Sequence, residues 1–99
     1  MRPATTPKHV FKTAFNTALI DRIRITYAQF GQTVLQKETK DCEIAEGQIT
    51  VRLTQQETLL FKEKEPIKIQ GHIVTLGGEA FQTKIITEPV EEALDKEVL

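Results

Sequence analysis

Apolar and polar residues alternate with a period of two along most of the chain, the spacing of strands that bury one face. From His9 to Phe15, the residues Phe11, Thr13 and Phe15 share a side, which predicts a first strand. Ile23, Ile25 and Tyr27 then form one face of a second, with Arg22, Arg24 and Thr26 on the other. Such clean alternation predicts one buried and one solvated face. Gly31-Gln32 interrupts, Thr33 to Lys37 resumes, and the two segments read as an antiparallel hairpin turning at Phe30 to Gln32. A second hairpin follows: a weaker strand over Asp41–Ala45, a turn at Glu46-Gly47-Gln48, and a strong strand carrying Ile49, Val51 and Leu53.

Thr54-Gln55-Gln56-Glu57 matches a capping box, in which the threonine hydroxyl accepts from the Glu57 amide and the glutamate reaches back to the cap amide. Pro66 leaves barely two turns, so a short helical turn near 54–61 is expected, with Leu60 or Phe61 plugging one end of the core. Ile67, Ile69 and Ile73 predict a long strand through Leu76, with Gly71 marking a bulge or a close backbone approach. Gly77-Gly78 reads as a hairpin turn, since both positions can take positive φ. The return strand is expected to run from Ala80 to Thr87, with Phe81, Thr83 and Ile85 on one face. Past Glu88-Pro89, Val90, Leu94 and Val98 recur at helical spacing and predict a narrow apolar stripe on an acidic C-terminal helix. That tail reads three ways: docked on its own domain, frayed, or ordered on a partner chain.

Six to eight short strands with turns between them predict an all-β antiparallel sandwich, immunoglobulin-like in the broad sense, with a small barrel as the alternative. The expected layout is a flexible N-terminal arm over 1–8, a sandwich over 9–89 and an acidic tail over 90–99. Composition agrees. Thr, Ile and Val supply 29 of 99 residues against seven Ala and one Met, and β-branched side chains suit a pleated surface better than a helix.

The formal net charge of −1 hides an asymmetry: residues 1–40 sum to +5 and residues 41–99 to −6. The single Cys42 lies between Asp41 and Glu43, which raise a thiol pKa, so an ordinary reduced cysteine in a reducing cytoplasm is expected. The chain has no serine, and His9 and His72 are its only histidines, far apart in sequence. No catalytic residue, metal ligand or cofactor is expected, and the acids lie in polar or turn contexts that do not tune a general acid. Nucleic-acid and membrane partners are not expected either: there is no basic run, and no apolar run exceeds three residues. What remains is surface recognition, with Arg22, Arg24 and Arg52 on outward strand faces and Val90, Leu94 and Val98 on the tail as candidate interface residues.

One ordered series of motifs stands out: Ile23-Arg24-Ile25-Thr26-Tyr27-Ala28-Gln29, Thr33 to Lys37, Ile49 to Thr58, Ile67 to Gln70, and Gly77-Gly78. Over about residues 8–88 it resembles small uncharacterised proteins encoded in the structural modules of Firmicutes phages and prophages. More distantly, it is similar to the N-terminal immunoglobulin-like domain of phage baseplate upper proteins. The resemblance implies a phage structural or accessory protein acting through protein–protein contacts, a baseplate or other virion component assembled in the bacterial cytoplasm. It implies other phage structural proteins as partners, with a homo-oligomer also open. In the baseplate proteins a long downstream region carries assembly contacts, and this chain is expected to act without it. The alternative function is a stand-alone ligand-binding sandwich, for example for a carbohydrate.

Overall fold

A computed structural model describes all 99 residues. Its strands are β1 (Lys8–Lys12), β2 (Ile20–Gln29), β3 (Gln32–Glu38), β4 (Cys42–Ala45), β5 (Gln48–Arg52), β6 (Ile67–Thr75), β7 (Ala80–Gln82) and β8 (Ile86–Glu88). Helical structure is confined to α1 (Gln55–Thr58) and single 3-10 turns at Thr17–Leu19 and Thr39–Asp41. The strands form two antiparallel sheets, ordered β1-β5-β4 and β3-β2-β6-β7, with β8 pairing β6 beyond β7. The sandwich predicted by the alternation is therefore present. In an immunoglobulin constant domain the second strand joins the sheet of the first, fourth and fifth. Here β2 lies between β3 and β6 instead, so five strands face three.

The core is the alternation carried into space. Ile23, Ile25 and Tyr27 of β2 and Ile67, Ile69 and Ile73 of β6 face Phe11, Ile49, Val51 and Leu53, and all are buried. Burying each such side chain contributes about 1.5–3 kcal/mol relative to leaving it in water. The capping box forms as read, with the Glu57 amide donating to Thr54 Oγ1 at 3.1 Å and the Thr54 amide donating to Glu57 Oε1 at 2.8 Å. Of the two candidates for the plug, Phe61 is buried against the core and Leu60 is exposed.

The β2–β3 turn is two residues long, Phe30 and Gly31, both at positive φ (54° and 72°), the primed hairpin geometry that matches strand twist. A phenylalanine there is an outlier. Gln29 stabilises the turn by accepting from the Lys62 amide and donating to the Lys62 and Glu65 carbonyls, while the Lys62 ammonium sits 5.7 Å from the Phe30 ring centroid. In the Gly77-Gly78 turn only Gly78 takes positive φ (87°).

The predicted continuous return strand is divided. Its first part pairs Ile73 with Phe81 and its second pairs Ile69 with Ile86, a one-residue shift in register. The extra residue is a bulge, and Gly71 stands opposite it. The Thr83 amide donates to the Gly71 carbonyl and the Gly71 amide donates to Thr83 Oγ1, both at 2.9 Å, so a side chain replaces part of the ladder. A Cβ on Gly71 would lie 3.1 Å from Thr83 Cγ2 and 3.2 Å from Ile25 Cδ1. The close approach read from the sequence is thus present, and the bulge belongs to the partner strand.

Residues 90–99 form no helix, which corrects the predicted C-terminal stripe. Val90 is buried in the core, whereas Leu94 is fully exposed and Val98 is 43% exposed. A ten-residue helix is marginal by itself, and the extended path gains more. It buries Val90, and the Lys64 amide donates to the Val90 carbonyl at 2.7 Å. It also pairs Arg2 with Glu91 and Lys96 with Glu63, and the Lys96 ammonium hydrogen bond holds the Glu63 carboxyl below its ordinary range. The N-terminal residues expected as an arm lie along this tail: the Met1 amine donates to the Pro89 carbonyl and the Glu91 amide to the Met1 carbonyl.

Candidate interaction surface

The two long sides of the sandwich differ. On one, the chain crosses from β3 to β4 through the Thr39–Asp41 turn, and Thr39 Oγ1 accepts from the Ile23 amide at 2.8 Å. The edge strand β3 also carries an inward-pointing charge, Lys37, a device that discourages edge-to-edge pairing. Its ammonium donates to both carboxylate oxygens of Glu57 at 2.8 Å, tying β3 to α1.

Burial pushes the Glu57 carboxyl up. Hydrogen bonds from Lys37 and from the Thr54 amide, with the Lys37 charge, outweigh it and hold the carboxyl below its ordinary 4.5. A carboxylate favoured by the fold contributes stability above its unfolded-state pKa, and that contribution is lost as pH falls through the lower folded value. The melting temperature is therefore expected to fall on acidification below pH 4.5. Glu57→Gln, which keeps a capping side chain, should lower stability at neutral pH and flatten that fall. An unchanged acid profile in Glu57→Gln would contradict the assignment.

The other side is open. Strands β1 and β7–β8 are both edges, with no strand bridging them. β7 and β8 pair successive stretches of the same edge of β6 and so share a fourth position in the larger sheet, where their inward side chains overhang the three-stranded sheet. Phe81 and Ile86 pair with the inward-facing Ile73 and Ile69 yet remain 42% and 39% exposed. Together with Val10, Phe11 and Phe15 they line a groove of about 460 Å³ whose only charged lining residues are Lys12 and Lys84.

A clasp closes each end of this groove. At one end Phe15 stacks on Phe81, with ring centroids 5.5 Å apart. At the other, His9 of β1 joins Tyr27 and Glu88: Nδ1 lies 2.8 Å from the Tyr27 hydroxyl and Nε2 lies 2.7 Å from Glu88 Oε2. The Met1 amine sits 3.2 Å from Glu88 Oε1. Burial, with the Cys42 thiol, Glu88 and Glu57 nearby, pushes the Tyr27 phenol far above its ordinary value, so it keeps its proton. The arrangement that satisfies every donor has the phenol donating to Nδ1 and Nε2–H donating to Glu88. Sequence reasoning missed this triad because its members lie 18 and 79 residues apart along the chain. The available signal was the inward parity of His9 with Phe11 and of Tyr27 with Ile25.

The sequence-derived interface residues do not converge. Arg22 and Arg24 lie on the outer face of the larger sheet, Arg24 bonded to Glu38 at 2.9 Å and opposite His72, and Arg22 3.8 Å from Asp21. Arg52 is exposed on β5, in the other sheet. Cys42 is half-buried, with its Sγ donating to the Glu38 carbonyl at 3.4 Å, and burial followed by the Asp41 charge pushes its thiol up. No helix is long and apolar enough to cross a membrane. Comparison with family models, with curated proteins and with solved structures finds no match.

Proposed function

We propose that this chain is a phage or prophage structural or accessory protein that acts through protein–protein contacts. In this reading it is a baseplate or other virion component, assembled in the bacterial cytoplasm, with other phage structural proteins as partners. The observation that carries the reading is the groove between β1 and β7–β8, where Phe81, Ile86 and Val10 stay exposed beside two unpaired sheet edges. Apolar surface flanked by open edges is characteristic of a surface that meets another protein. The resemblance of the strand and corner motifs to phage structural-module proteins supports the same reading. A sugar platform would instead present a flat aromatic face to solvent, whereas Phe81 is stacked on Phe15 and Tyr27 is buried.

The test is the protein content of particles purified after induction of the prophage or infection by the phage that encodes the chain. The expected result is recovery of the chain in fixed proportion to the tail or connector proteins, its gene lying among theirs. Purified particles devoid of the chain would overturn the reading.

A further inference from the structure

The ladder between β1 and β5 determines which backbone groups face the groove. The Leu53 amide donates to the Pro7 carbonyl and the Thr13 amide to the Gly47 carbonyl. These two bonds fall at odd positions in the register His9↔Val51 and Phe11↔Ile49. Hydrogen-bonded positions alternate along an antiparallel pair. The N–H and C=O groups of Lys8, Val10 and Lys12 therefore point away from β5, along the open side of the sandwich. The smaller sheet ends at β1, while the larger sheet extends past it to β7 and β8. The vacant position is that of one more strand, next to β1 and above Phe81 and Ile86.

We infer that the groove is a strand-acceptor site, filled by an extended segment of a partner protein in which apolar residues alternate with Asp or Glu. This rests on the proposed role in protein–protein contacts and names the chemistry of the partner. Added next to β1, such a segment bonds through the free groups of Lys8, Val10 and Lys12, the β-augmentation mode of recognition. Its inward side chains lie over Phe81 and Ile86 and must be apolar. Its outward side chains lie beside Lys8 and Lys12, with Lys84 also lining the groove. The nearby carboxylate, Glu88, is already held by His9 and the Met1 amine. Charge complementarity therefore selects acidic residues at the alternate positions.

The same lysines argue against a second copy as occupant. Antiparallel pairing of two β1 strands about Val10 would set Lys8 of each opposite Lys12 of the other, and like charges directly opposite are destabilising. Lysine on an edge strand is a recognised guard against self-pairing.

The probes are two short blocked peptides, one alternating valine with glutamate and one alternating valine with lysine. Each is titrated into the full isotope-labelled chain and followed by heteronuclear NMR. The glutamate peptide is expected to shift the amides of β1, β7 and β8 and to protect those of Lys8, Val10 and Lys12 from exchange. The lysine peptide should bind weaker by about tenfold or more. The exposed double change Lys8→Glu with Lys12→Glu should reverse that preference. Val10→Pro should abolish binding, since it removes an outward N–H and leaves the β5 ladder intact; if that variant unfolds, the charge reversal decides alone. Equal binding of the two peptides, or shifts confined to another surface, would overturn the inference. So would protection of the β1 amides by self-association without peptide, which assigns the groove to a second copy. If the chain is recovered in particles yet ignores both peptides, the strand-acceptor site fails while the assembly role stands.

Discussion

Tyr27→Ala is expected to destabilise the fold by about 3–5 kcal/mol, the range for deleting a buried aromatic. Small domains have about 5–15 kcal/mol in total, so a large share of the stability goes with one side chain. Tyr27 is fully buried between the sheets, with the His9 ring centroid 5.4 Å away and that of Phe61 5.9 Å away. It also supplies the hydroxyl that completes the His9–Glu88 clasp. Tyr27→Phe separates the two contributions. It keeps the ring but leaves His9 Nδ1 without its donor, which should cost about 1–3 kcal/mol. Urea denaturation of both variants checks this. A Tyr27→Phe loss within about 0.5 kcal/mol, the range of ordinary surface changes, would contradict the clasp.

Gly71→Val should be the second large effect, at about 1–3 kcal/mol or somewhat more. The added Cβ meets Thr83 Cγ2 and Ile25 Cδ1 at distances few real side chains tolerate, and the γ-methyls have less room still. One of those neighbours, Ile25, is fully buried and can move only by disturbing the packed core around it. The bulge should therefore give way. Loss of the Gly71–Thr83 hydrogen bonds would free β7 and β8 from β6. Amide exchange at Ala80–Glu88 should quicken far more than at β2 or β5. Uniform quickening across the chain would instead place Gly71 in the common core.

These two residues also show what the sequence made legible. The parity of Ile23, Ile25 and Tyr27, and of Ile49, Val51 and Leu53, assigned inner faces correctly, because a one-residue slip would turn every apolar side chain outward. The capping box was readable because all its partners lie within four residues. Gly71 signalled a close approach, but which strand carried the extra residue depended on Thr83 replacing a ladder bond with its hydroxyl, a choice made only on pairing. The tail misled because Val90, Leu94 and Val98 keep helical spacing while Arg2 and Lys64, distant in sequence, hold the chain extended. The groove was illegible for a related reason. Alternation marks Phe81 as inward-facing, but whether anything covers it depends on which sheet β2 joins, and no local pattern encodes that.

The central claim is that the strip left uncovered between β1 and β7–β8 is where this chain meets its partner. Phe81→Glu places a charge on the exposed floor of that strip without removing a fully buried side chain. The most direct measurement is the amount of Phe81→Glu chain recovered in purified particles relative to the parent chain, with circular dichroism confirming that both are folded. The account predicts a folded variant largely missing from the particles. Incorporation at the parental level would contradict it.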